Sequence, residues 1–192
     1  MNLAERLDRM DTEIHKPSFR QSTGRANEVN YWVFDYPPER ELEVRDRIRG
    51  MVHQNQQGVD GFTLCVFDLY DMIIDYLIRR NFLEKCFDKE RKGGMEQIVR
   101  AVSCSLMIDD KQKSILVRLV EENTPDNAVV FFTGIGKCYP LLHSHKVLNN
   151  LPPSFSHTPV VLFFPGIYTE QELILFNSIK DDNYYRAFRL VP

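Results

Sequence analysis

The segment richest in chemical possibility is Thr133-Gly134-Ile135-Gly136-Lys137, which follows an apolar run and precedes a stretch of helical character. Glycines at a strand-to-helix turn let backbone N–H groups and the helix dipole close on a phosphate, which a lysine can neutralise. Both known phosphate-binding patterns are incomplete here. A P-loop needs a glycine five residues before Gly136, where Phe131 stands, and a Ser or Thr after the lysine, where Cys138 stands. As a dinucleotide fingerprint, Gly134 and Gly136 supply two glycines, but the ring of Tyr139 takes the place of the third. The simpler reading is a tight turn that needs positive φ at Gly134 or Gly136. The loop Gly134, Gly136, Lys137 is kept as the alternative phosphate site.

The other candidates are weaker. His143-Ser144-His145 offers two imidazoles, but no acidic residue lies within four positions and no third ligand is near, so structural histidines are expected and no metal site. Cys138 and His143 stand at i and i+5 without the third group that would orient a nucleophilic pair. Asp35 and Asp68 each close a strand-like run, where α/β enzymes often carry acid–base or metal-binding carboxylates. Asp68 also suits the N-cap of the helix that follows, and that role is preferred because it needs only local geometry. Asp181-Asp182-Asn183 reads as an acidic turn before the last segment. No catalytic residue and no cofactor follow from these motifs.

Elements that would hold these residues can be read from periodicity. Leu3, Leu7, Met10 and Ile14 form one stripe of an amphipathic helix over 1–16, ended by Pro17. A first strand runs from Val29 to Asp35. A helix from Glu39 to Val52 follows, with Leu42, Val44, Ile48 and Val52 as its apolar positions. The run Phe62–Phe67 is apolar on both faces, as in the interior of a parallel sheet, and leads into a helix marked by Leu69, Ile73, Tyr76, Leu77 and Leu83 that breaks near Asn81. Lys89 to Gly94 reads as a charged loop, followed by helices over 95–106 and 109–122. The runs 127–133 and 158–164 share one pattern and are expected to be neighbouring core strands, with a helical segment from Lys137 to Leu151 between them. A helix from Thr169 to Ile179, with a Thr169/Glu172 capping box, and an alternating strand from Tyr184 to Val191 complete the chain.

This alternation predicts an α/β fold: a three-layer domain with a mostly parallel sheet of about five strands flanked by helices, formed by residues 1–192 as one unit. Ligands of such folds sit beyond the carboxyl ends of the strands, where Asp35, Asp68, Thr133–Lys137 and Pro165-Gly166 would lie. The composition agrees, since 43% hydrophobic residues, 13 Phe and 8 Tyr can fill a sizeable core. A net charge of −3 supplies no global basic field, so no tight direct DNA binding is expected. No run of 18 apolar residues occurs, and the four cysteines are widely spaced. A cytoplasmic protein with reduced, buried thiols and no membrane contact is expected.

Several blocks resemble the BrxB family. They are Asn27-Glu28 before Tyr31-Trp32-Val33-Phe34-Asp35-Tyr36-Pro37, Asp68-Leu69-Tyr70, Thr133–Gly136, Tyr139-Pro140, Ser144-His145 with Leu148-Asn149-Asn150-Leu151, and Phe163-Phe164-Pro165-Gly166. The terminal block from Lys180 to Phe188 belongs with them. The resemblance implies membership of a BREX bacteriophage-exclusion system, in which a small BrxB protein accompanies a methyltransferase (PglX), a phosphatase-like protein (PglZ) and large ATPases. It carries over no catalytic residues. A non-catalytic adaptor that docks PglZ or PglX is therefore expected, with Asp181, Asp182, Asn183, Tyr184, Tyr139 and Tyr168 as the candidate contact surface because exposed aromatics suit an interface. The alternative is a small nucleotide-sensing or phosphate-handling enzyme using Gly134–Lys137 with Asp35 or Asp68.

Overall fold

A computed structural model describes residues 1–20, 30–110, 113–151, 155, 157–169, 172–181 and 187–192. In chain order the elements are α1 (Leu3–His15), α2 (Pro17–Arg20), β1 (Tyr31–Tyr36), α3 (Glu41–Gln54) after a 3₁₀ turn, α4 (Gln57–Asp60), β2 (Thr63–Asp68), α5 (Leu69–Arg79), α6 (Leu83–Leu106), α7 (Ile115–Glu122), β3 (Ala128–Thr133), α8 (Ile135–Cys138), α9 (Ser144–Asn150), β4 (Val160–Tyr168), β5 (Leu173–Leu175), β6 (Ile179–Asp181) and β7 (Phe188–Arg189). Five strands form a parallel sheet in the order β2-β3-β4-β1-β7, and the hairpin β5–β6 extends β4 antiparallel beyond it. The expected neighbours β3 and β4 do pair, with Val130 opposite Val160.

Strand alternation sorts the core into two halves. Phe34, Phe131 and Phe163 point to one face, under Leu3, Leu7, Met10 and Ile14 of α1 and Val44, Ile48 and Met51 of α3. Val33, Val130, Phe132, Leu162 and Phe164 point to the other, under α5 to α9. The result is the expected three-layer α/β domain. The α1 stripe is buried as its spacing requires, and the helix starts with a capping box between Asn2 and Glu5.

Several local expectations are corrected. The segment 169–179 contains no helix among its described residues. Its apolar triplet Leu173–Leu175 pairs with Gly166–Tyr168, and Phe176 and Asn177, both at positive φ, make the tight turn to β6. Two consecutive positive-φ residues suit the right-handed twist of a hairpin. Thr169 and Glu172 do bond reciprocally, but they close the connection from β4 to β5 and not a helix N-terminus. Lys89–Gly94 is not a loop: Lys, Glu and Arg are good helix formers, and α6 runs through them with a break only at Gly94 (φ 63°). Leu42 (71% exposed) and Val52 face solvent, and Met51 takes the inner position of α3. The strand β2 lies at the sheet's edge and is only half-buried. The stretch 137–151 divides into α8 and α9, and α7 begins only at Ile115. Of the cysteines, Cys86 and Cys138 are buried, Cys65 is half-buried and Cys104 is exposed. No helix among the described residues is long and apolar enough to cross a membrane.

Candidate functional site

In an open parallel sheet the ligand crevice opens where connections leave neighbouring strands on opposite faces. Here the chain leaves β1 through α3 on one face and leaves β3, on the far side of β4, through α8 and α9 on the other, while β4 between them runs on into the β5–β6 hairpin. Asp35, near the end of β1, stands at that crevice and is buried. Arg6 of α1 reaches it with one N–H to Asp35 Oδ1 (2.8 Å) and another to the Asp35 carbonyl (2.7 Å), and also donates to the Val191 carbonyl. From β7, Arg189 Nη1 bonds both carboxylate oxygens (3.1 and 3.0 Å), and the Tyr168 amide donates to Oδ2 (3.1 Å). The carboxylate thus joins α1, β1, β4 and the C-terminal strand. Its acceptor sites are filled by the protein itself, which leaves little for substrate chemistry.

The second constellation lies at the ends of β2 and β3. Asp68 caps α5 by accepting from the Asp71 amide (3.1 Å), as its position predicted. It also accepts an ion pair from Lys137 (2.8 Å), whose ammonium reaches Asp71 as well (2.9 Å) and lies over the Tyr70 ring. Burial works against the charged Lys137, but the bonds to Asp68 and Asp71 outweigh it and raise its pKa. Gly134 has φ 77°, and a Cβ there would fall 2.3 Å from Asp68 Oδ1. A carboxylate therefore rests against the loop where a phosphate would have to enter. Gly136 is required for a different reason: its φ is ordinary, but a Cβ would press on the Phe176 ring (3.0 Å) and Pro165 (3.1 Å).

Neighbouring groups are equally occupied. The Tyr36 hydroxyl donates to Glu41, which also holds Arg45 (2.7 Å); burial first, and Glu41 next, push the Tyr36 phenol far up. Burial, helped by the Asp68 charge, pushes the Cys138 thiol up to about 12, so it is no activated nucleophile. His143 meets the edge of the Tyr139 ring. A separate cavity of about 420 Å³ opens at the amino ends of β3 and β4, away from these carboxylates.

Of the residues chosen from sequence as a contact surface, Tyr139 is exposed (38%). Tyr168 is not: it is fully buried and its hydroxyl donates to the Ala187 carbonyl (2.6 Å), so it belongs to the core and not to a contact surface. Asp181 ends β6, and Asp182, Asn183 and Tyr184 lie outside the described residues. The sequence reading missed Phe176 (40% exposed) and Ile167 (44%), which lie beyond the ends of β1 and β3 on the hairpin and the extension of β4. It also missed Arg6 and Arg189, whose distance along the chain from Asp35 hides the pairing. Asp71 was accessible, since an acidic residue three positions after a cap falls in the first helical turn.

The fold and this edge define a class: a three-layer parallel α/β domain whose switch-point crevice is filled by its own arginines and carboxylates. Residues 65–190 match the family model described as BREX protein BrxB. A protein of Bacillus cereus (strain H3081.97) named BREX protein BrxB is 38% identical over 187 residues, covering 97% of this chain and 96% of its own. One of the same name from Escherichia coli O9:H4 (strain HS) is 31% identical over 190 residues, covering 99% and 92%. No solved structure matches the chain. The chain belongs to the BrxB family of BREX proteins.

Proposed function

We propose that this BREX component is a non-catalytic adaptor that works in the cytoplasm in anti-phage defence and docks a partner protein, PglZ or PglX, through the carboxyl edge of its sheet. The supporting observation is how that edge is spent. Asp35, Asp68 and Lys137 are each engaged by groups of the same chain, while Tyr139, Ile167 and Phe176 remain exposed beside them. An acid–base or nucleophilic site needs a group free to exchange a proton with substrate, whereas an interface draws its energy from exposed aromatic and apolar side chains. Asp181, Asp182, Asn183 and Tyr184 are proposed as the polar border of the same surface, because they follow the hairpin that carries Phe176.

The test is a pull-down of a tagged copy from cells carrying the whole defence cluster, read by mass spectrometry, beside the double variant Asp181→Lys, Asp182→Lys. The wild type is expected to retain PglZ or PglX; the variant is expected to lose the partner and phage exclusion together, at an unchanged melting temperature. A variant that captures its partner normally yet loses defence would replace docking with a hidden activity.

A further inference from the structure

The described cations are, with few exceptions, held by carboxylates: Arg6 and Arg189 by Asp35, Lys137 by Asp68 and Asp71, Lys146 by Asp109. Apart from Arg9 and Arg20, the described lysines and arginines without a carboxylate partner are Arg79, Arg80, Lys85, Lys89 and Lys92. All five fall within 79–92, a stretch with six cations against three carboxylates in a chain of net charge −3. All five are exposed, and residues 87–97 of α6 are exposed without interruption to either side of its break at Gly94.

Arg79 and Arg80 at the end of α5 are explained in part by the helix dipole, which favours cations there. Of the lysines, Lys85 lies over the Phe82 ring (4.9 Å), while Lys89 and Lys92 have no carboxylate partner among the described residues. Lys85, Lys89 and Lys92 stand at i, i+4 and i+7 on one α6 face, a row about 10 Å long. At ~3.4 Å rise per nucleotide of one strand, that row spans about three phosphates. An arginine fork suits a fixed carboxylate, whereas a lysine binds phosphate as a point charge in any register. We propose that this arm lies along a nucleic-acid backbone and reads no sequence. The contact is weak in isolation and adds to whatever else holds the assembly on DNA, in keeping with the absence of a global basic field.

The test uses the full-length protein and a fluorescein-labelled duplex of about 30 base pairs, titrated by anisotropy from about 20 to 200 mM KCl. Binding is expected at low salt. In K85Q/K89Q/K92Q, affinity at about 50 mM should fall at least ~tenfold and the slope of log K against log salt should shrink by about 2 to 3, at ~0.9 per phosphate. The triple K16Q/K113Q/K180Q, which changes net charge equally on other surfaces, should bind as the wild type does. Circular dichroism melts establish that both triples fold. The proposal is overturned by a wild type that does not bind at low salt, by equal losses in the two triples, or by poly-glutamate competing as well as DNA at equal charge.

Discussion

Replacing Asp35 by Asn tests whether this strand-end carboxylate is structural. Its side chain is 9% exposed, beside Arg6 at 15% and Arg189 at 27%. Asn keeps the shape and one acceptor for the Tyr168 amide, but it leaves two guanidinium groups facing a neutral residue. Removing one partner of a buried pair costs ~3–5 kcal/mol, because the remaining charge stays desolvated. In a domain of this size about 1 kcal/mol moves the melting temperature ~2–4 °C, so the loss should reach roughly 6–20 °C. Urea denaturation with Asp35→Asn, Arg189→Met and the double variant measures it. Arg189→Met should cost less in the Asp35→Asn background than in the wild type, because its partner is already gone. A loss below about 1 kcal/mol, or strict additivity, would refute the claim that the crevice is closed by this network.

Gly134→Ala should destabilise by about 1–3 kcal/mol in thermal melts, since it combines positive φ with a Cβ 2.3 Å from Asp68. Gly136→Val should be at least as damaging through Phe176 and Pro165. Lys137→Ala, which breaks partly exposed ion pairs, should cost about 1 kcal/mol or less and leave phage exclusion intact. Burial pushes the Tyr31 phenol up to about 12 and that of Tyr36 further. The fold then keeps protons that the unfolded chain releases above pH ~10, so stability should hold below that pH and fall towards pH 12, by ~2 kcal/mol for Tyr31 alone. Denaturation across this range should show a shallower loss in Tyr31→Phe.

Where local signals decide, the sequence was readable. The spacing of Leu3, Leu7, Met10 and Ile14 determines which face of α1 is buried, Asp68 caps the helix beside it, and Asn81, at positive φ, stops the chain where a break was expected. Tertiary choices were hidden. Leu173-Ile174-Leu175 has no preference strong enough to resist the free edge that the extended β4 offers, and a turn with Phe176 at positive φ carries no glycine to signal it. The site was half visible for the same reason. Asp35, Asp68 and Lys137 could be picked out by their place at strand ends, but whether they are free or engaged depends on Arg6, Asp71 and Arg189, and on contacts such as the 154 residues that separate Asp35 from Arg189.

The central claim, that the carboxyl edge docks a partner protein and performs no chemistry, is tested most directly by titrating the purified protein against purified PglZ and PglX by calorimetry. The wild type should bind one of them saturably, and Tyr139→Ser with Phe176→Ser should weaken that binding at least ~tenfold, about 1.4 kcal/mol, in a variant that circular dichroism shows to be folded. Absence of binding to either partner, together with micromolar binding of ATP, GTP or a dinucleotide that Lys137→Ala abolishes, would contradict it and make the Gly134–Lys137 loop the site.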